Sequence, residues 1–214
     1  IIVRVNCASI SDMRGTIMVK IDLITGFLGA GKTTFIKLLC RMYDVTDGEI
    51  LIDNINIKDY SDSEYRKLFS VVFQDFELFA FSLKENIILD EQEDEEKLIK
   101  TLKMAGLYED AMKLENKLDT TIFKSYDENG TELSGGQQQK TAICRALYRD
   151  SPIVILDEPT AVLTPQEITA LFAILRKMKE QGCTIIIITH KMAEVMDISD
   201  RVTVLRKGEC IGTV

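Results

Sequence analysis

Apolar positions divide the chain into three stretches with different periods. Val19-Lys20-Ile21-Asp22-Leu23-Ile24 alternates and then runs apolar, which predicts a buried strand. Phe35, Ile36, Leu38, Leu39 and Met42 follow at helical spacing. Gly48–Ile57 reads as a hairpin with Asp53-Asn54 at its turn. A short helix around Ser61–Leu68 then leads to a strand at Ser70–Phe73. Residues 76–149 read as largely helical, with periodic segments near 93–105 and 107–118. The last stretch returns to alternating elements: strand 153–157, helix 165–181, strand 184–188, helix 191–197 and strand 201–205. The implied class is α/β, with a mostly parallel central sheet flanked by helices. A helical insertion over about 76–149 interrupts a core at 18–75 and 150–214, and the antiparallel β portion is reduced. No internal repeat or low-complexity linker is visible.

The 214 residues suit one domain with a substantial core. Charge stands at 26 basic against 34 acidic residues, a net −8, which disfavours a general nucleic-acid surface. The acidic run Asp90–Glu96 reads as a solvated helix start, with negative charge at the favourable end. Cys7, Cys40, Cys144, Cys183 and Cys210 are odd in number and lack metal-ligand spacing, as expected of reduced thiols in a cytosolic chain. No apolar stretch approaches the length of a membrane span and no signal peptide is evident, so a membrane link has to come through another protein or domain.

Candidate chemistry begins at residues 26–34. Gly26, Gly31, Lys32 and Thr33 fill the pattern G-x-x-x-x-G-K-[ST] between a predicted strand and a predicted helix. Glycines let such a loop wrap closely, so that the backbone N–H groups of Gly29, Ala30, Gly31, Lys32, Thr33 and Thr34 can face phosphate oxygens. The helix that follows adds its positive end. Lys32 is placed to neutralise β/γ-phosphate charge, and the Thr33 hydroxyl to hold Mg²⁺. Ile153-Val154-Ile155-Leu156 ends in Asp157-Glu158, two acids that are costly at a buried strand end without a cation. Asp157 is the candidate Mg²⁺ ligand and Glu158 the candidate base for attack on the γ-phosphate. His190, the one histidine, follows the apolar run Ile185–Ile188 at the strand edge where doubly wound sheets bind ligands. It is a candidate γ-phosphate contact.

Leu133-Ser134-Gly135-Gly136-Gln137 opens a further helix whose apolar stripe is Ala142, Ile143, Ala146 and Leu147. Ser134 is a good N-cap, and Gly135 and Gly136 leave the first N–H groups unobstructed for an anion. On spacing alone an ordinary capped helix is the better reading. The segment nevertheless resembles the signature motif of ABC transporter ATPase domains. Walker A at 26–33, a Q-loop glutamine at Gln74, Walker B at 153–158 and a switch histidine at His190 stand in that family's order, and the resemblance covers about residues 19–214. It implies a P-loop NTPase fold and Mg²⁺-dependent ATP hydrolysis. It implies that Gln74 reaches Mg²⁺ or the attacking water and couples the site to membrane-spanning partner segments. Ser134, Gly135, Gly136 and Gln137 would bind the ATP of a second copy in a head-to-tail dimer. The domain would lie on the cytoplasmic face of the membrane, held there by its partner, with no role for nucleic acid.

Different stretches are similar to different relatives. Ile36–Ala161 resembles exporter-type ABC proteins, and the part from Glu158 onward resembles ATPase subunits of sugar and nucleoside importers. Residues 18–37 resemble the start of CobW-type metallochaperone GTPases, with Phe27-Leu28-Gly29 in the loop. A recombined or assembled chimera fits this mixture. Residues 1–26 hold no aromatic residue or histidine to stack on adenine, and the early β-subdomain strands are expected to be missing or replaced by Ile1–Thr16. Thr164 stands where the family's D-loop usually has Asp. The chain starts at Ile1 and stops soon after the strand Val202–Leu205, which reads as a fragment or truncated domain. Three other readings stay open: a dimerising regulatory module that binds ATP without efficient turnover, a soluble ABC ATPase of repair or translation, and a GTPase. Asn116-Lys117-Leu118-Asp119 fits the guanine-reading N-K-x-D, although it follows an apparent helix where that motif needs a strand.

Overall fold

A computed structural model of the chain describes residues 2–5, 21–25, 32–123, 128, 130–207 and 209–214; the side chains of 2–5, 21–25 and Lys32 are outside the description. The chain divides into two units. The first comprises residues 1–71, 151–159 and 175–214, and the second residues 72–150 and 160–174.

The first unit carries the strands β1 (Ile2–Val5), β2 (Ile21–Thr25), β3 (Glu49–Ile52), β4 (Ile55–Asn56) and β5 (Phe69–Val72). It continues with β6 (Ile153–Asp157), β7 (Thr184–Ile188), β8 (Arg201–Arg206) and β9 (Glu209–Thr213). Six of these form one sheet in the order β5-β6-β7-β2-β8-β9. β6, β7, β2 and β8 run parallel to one another, and β9 returns antiparallel along β8. Every residue of β6 and β7 is buried, as a strand covered on both faces requires. The β-branched Ile153-Val154-Ile155 and the four isoleucines of β7 supply that fit.

Helix α1 (Lys32–Leu39) follows β2, and Ile36 and Leu39 on it are fully buried. Its last turn is braced by α2 (Asp62–Lys67): the Tyr65 hydroxyl donates to Leu39 O at 2.5 Å, satisfying a carbonyl the helix leaves orphaned. Arg41 adds a bond to Tyr60 O at 3.2 Å and an ion pair with Asp62 at 3.1 Å.

The second unit is helical: α3 (Leu83–Ile88), α4 (Glu95–Met104), α5 (Tyr108–Met112) and α6 (Gly135–Arg149), with α7 (Pro165–Glu180) beginning in it and ending in the first unit. α8 (Met192–Ile198) belongs to the first. The core of the second unit includes Leu83, Leu98, Leu102, Leu107, Ile122 and Tyr148, all almost wholly buried. The helix starts are written in the sequence. Ser61/Glu64, Ser82/Glu85 and Ser134/Gln137 each form a reciprocal capping box, and Asp94 caps α4 by accepting from Lys97 N–H at 2.9 Å.

The hairpin expected at Gly48–Ile57 is present, with Asp53 (φ 50°) and Asn54 (φ 65°) in left-handed conformation at its turn. β1 lies inside the segment Ile1–Thr16 expected to replace the early β-subdomain strands; it pairs in parallel with β3, and three of its four residues are β-branched. The helix expected over 107–118 stops at Met112. A 3-10 turn at Lys117–Asp119 follows, where Lys117 takes φ 50°, a state outside right-handed helix. β9 was not foreseen, because Glu-Cys-Ile-Gly-Thr has neither alternation nor an apolar run and is exposed throughout.

Candidate functional site

The order of the central strands brings three predicted site segments to one rim. Ile188 of β7 pairs with Ile24 on one side and with Asp157 on the other. At ~4.8 Å per strand, the ends of β2 and β6 therefore stand about 10 Å apart, with β7 between them. β2 ends at Thr25 on that rim, and α1 opens seven residues later at Lys32. Gly26, Gly29, Ala30 and Gly31 lie outside the described residues, as does the Lys32 side chain. Thr33 and Thr34 are exposed in the first turn of α1.

Asp157 and Glu158 are both buried, at 6% and 8% exposure. Strand pairing runs one residue past β6, with Glu158 N–H donating to Ile188 O at 2.8 Å. Glu158 itself adopts φ 47°. For a residue with a Cβ that conformation costs about 1–2 kcal/mol, and such outliers concentrate at functional sites. His190 Nδ1–H donates to Glu158 Oε1 at 2.8 Å, because an ionised carboxylate can only accept. The rest of the imidazole, 57% exposed, stays open to solvent.

The chain on both sides of His190 is pinned. Thr189 is fully buried; its hydroxyl donates to Glu194 Oε2 at 2.8 Å and accepts Lys191 N–H at 3.1 Å. Glu194, buried at the start of α8, also pairs with Lys191 Nζ at 3.4 Å. Sequence reasoning missed this clamp. Its signal was a Glu four residues after the histidine, one helical turn away.

A second anion-suited feature lies in the second unit. Ser134 caps α6: its hydroxyl accepts Gln137 N–H at 3.3 Å, and Gln137 Oε1 accepts Ser134 N–H at 2.9 Å. Gln138 Nε2 holds Leu133 O at 2.9 Å. Ser134 and Gly135 are exposed at a 15-residue helix start, while Gly136 and Gln137 are half-buried. Gln74 is exposed in the turn two residues past β5. Asp157, Glu158 and His190 thus share one rim in the first unit, whereas Gln74 and Ser134–Gln137 belong to the second.

The guanine-reading motif finds no support. The 3-10 turn at Lys117–Asp119 follows no strand, and the Asp119 carboxylate is engaged by Lys84 Nζ at 3.3 Å, which also meets Glu93 at 3.2 Å. Among the described residues no group of three or more His, Cys, Asp or Glu side chains forms a metal cluster. Mg²⁺ needs none, since it takes one or two protein oxygens with phosphate and water completing its shell. The Asp157 carboxylate and the Thr33 hydroxyl are hard oxygen donors of the kind it prefers. No helix among the described residues is long and apolar enough to cross a membrane.

Residues 18–161 match the model of a family described as ABC transporter. The ATP-dependent lipid A-core flippase of Mannheimia succiniciproducens is 39% identical over 192 residues, covering 89% of this chain and 32% of the relative. The ribose import ATP-binding protein RbsA of Hahella chejuensis is 38% identical over 196 residues, covering 90% of this chain and 38% of the relative. A solved structure of a bacterial Atm1-family ABC exporter with ATP bound resembles the chain with a TM-score of 0.83 at 30% identity, over 91% of this chain and 33% of that one. The chain spans about a third of the length of the curated relatives it matches. Similarity to both a flippase and a ribose importer agrees with the mosaic character of the sequence.

Proposed function

The chain belongs to the ABC transporter family, and from that membership we propose that it is an ATP-hydrolysing domain that drives transport through membrane-spanning partner segments. Domains of this family generally bind ATP with Mg²⁺ and hydrolyse it. The observation that carries the reading for this chain is the Glu158–His190 pair, on the rim where β2 delivers the glycine loop.

The 26–31 loop, Lys32, Thr33, Thr34 and the N-terminal end of α1 would receive the phosphates. Thr33 and Asp157 would hold Mg²⁺, which would supply charge neutralisation at the β- and γ-phosphates. Glu158 orients the attacking water and takes its proton as the bond from the γ-phosphorus to the bridging oxygen breaks. His190 holds the Glu158 carboxylate through Nδ1, and the solvent-exposed remainder of its ring would contact the γ-phosphate. The left-handed turn at Glu158 and the Thr189–Glu194 clamp fix both groups before substrate arrives, so that catalysis comes from positioning and charge. Ser134 and Gly136, with Gly135 and Gln137, would close on the ATP of a second copy arranged head to tail. Residues 1–214 act as a single ATPase domain, on the cytoplasmic face of a membrane through the partner.

Phosphate release by the full chain, measured with ATP and with GTP and with or without Mg²⁺, tests this. Mg²⁺-dependent multiple turnover of ATP is expected. Tight ATP binding without release favours the regulatory module suggested by the absence of an aromatic residue in 1–26, and preferential GTP turnover favours the GTPase.

A further inference from the structure

The first turn of α6 has a carboxylate where a side chain would otherwise stand. A Cβ built on Gly136 falls 2.7 Å from Glu167 Oε1, 3.3 Å from Glu167 Cδ and 3.4 Å from Oε2. Glutamate side chains usually swing aside, but this one is held at both oxygens. Oε2 accepts the Thr164 N–H and the Thr164 hydroxyl, each at 2.9 Å, and Glu167 N–H returns to Thr164 Oγ1 at 3.4 Å. That is the capping box of α7, legible as Thr164-x-x-Glu167. Oε1 pairs with Lys140 Nζ at 3.4 Å, one turn beyond Gly136 on α6. Both side chains are largely sheltered, at 26% and 21% exposure. The Thr164 bonds, with Lys140 adding to them, hold the Glu167 carboxyl below its usual range. A second contact lies beside the first, with Val162 Cβ 3.9 Å from a Cβ built on Gly135. One carboxylate thus caps α7 with one oxygen and engages α6 with the other.

We propose that Glu167, through Lys140, is a positioning residue that locks the anion-binding end of α6 (Ser134–Gln137) to the loop 160–164. The inference rests on the reading that Ser134 and Gly136 receive a phosphate. Thr164 cannot make the α6 contact itself, because its hydroxyl is used within the cap. A lysine at 140 alone would be free to rotate; paired, it fixes how α7 meets the first turn of α6. Glycine at 136 then has a local cause besides access for a ligand, since any side chain there displaces the carboxylate.

Two measurements on the full chain decide it. The first is ATP turnover in Glu167→Gln and Lys140→Met. Glutamine satisfies a capping box as glutamate does but carries no charge for Lys140. Both variants are expected to raise KM for ATP about two- to fivefold, with kcat within about twofold and no further rise in the double variant. A residue that only caps α7 would leave KM untouched in Glu167→Gln, and that result overturns the proposal. The second is a thermal-melt cycle. Gly136→Ala is expected to lower Tm by about 3–6 °C as the cap and ion pair are displaced. In a Glu167→Ala background the loss should shrink by at least half; equal losses in both backgrounds also overturn it. Should the unmodified chain prove unable to turn over ATP, the proposed function falls, and the melt cycle alone still decides whether Glu167 places α6.

Discussion

Replacing Asn86 by alanine should release the segment that follows Gln74, and the size of the effect can be worked from its bonds. Asn86 is fully buried in α3. Its Oδ1 accepts Phe79 N–H at 2.8 Å, and its Nδ2 donates to Phe79 O at 2.9 Å and Ser82 O at 3.0 Å. Arg145 of α6 completes the knot: Nε donates to Asn86 O at 2.9 Å, Nη2 to Oδ1 and Nη1 to Glu77 O at 3.4 Å each, with the guanidinium over the Phe79 ring. Burial lowers the Arg145 pKa, the expected sign for a cation partly removed from water. The segment so held presents Phe79 and Phe81, stacked with centroids 5.8 Å apart and each about half exposed.

Three well-formed bonds at about 1 kcal/mol net, plus polar groups of Phe79 left partly unsatisfied, predict a loss of about 2–4 kcal/mol for Asn86→Ala. For a chain of this length that is a urea midpoint lowered by about 1 M. Because the chain forms two units, the midpoint should be read beside hydrogen exchange at residues 77–82, where the Phe79 amide should lose its protection. A midpoint within about 0.3 M of the unmodified chain, with that amide still protected, would refute the reasoning.

Asp119→Ala should leave ATP and GTP affinities unchanged within twofold, since the Asp119 carboxylate serves Lys84; a selective loss of GTP binding, measured by titration calorimetry, would restore the guanine-reading motif. Thiol labelling at pH 8 should follow burial among the described cysteines. Burial pushes Cys40 up to about 11 and raises the fully buried Cys144 further, so both stay protonated, while Cys210 is exposed. At three units below its pKa, Cys40 is about 0.1% thiolate. Mass spectrometry should find Cys210 alkylated well before Cys40 or Cys144, and the reverse order would contradict the placement of α1.

The strands that carry the site were legible because they are buried on both faces. Ile153–Asp157 and Thr184–Ile188 are read from composition alone, and their bounds match the structure. Helix starts were legible where Ser or Asp precedes a periodic run, as at Ser134, because capping is a local bargain between neighbours in sequence. β1, β9 and the break at Lys117 were not, since each depends on partners or a backbone state that no local pattern encodes. The site divides in the same way. Residue types at Asp157, Glu158 and His190 pointed to phosphate chemistry, but the left-handed turn at Glu158, the clamp on Thr189 and the carboxylate beside Gly136 arise from tertiary packing. Strand order supplied what sequence left open: Ile188 as common neighbour of Ile24 and Asp157.

Substituting Glu158 by glutamine tests the central claim most directly, because the amide keeps an oxygen for His190 Nδ1 and loses only the capacity to take a proton. ATP binding, followed by equilibrium titration, should persist, while multiple-turnover phosphate release falls by about 10²–10⁴-fold. Turnover within tenfold of the unmodified chain would contradict the account.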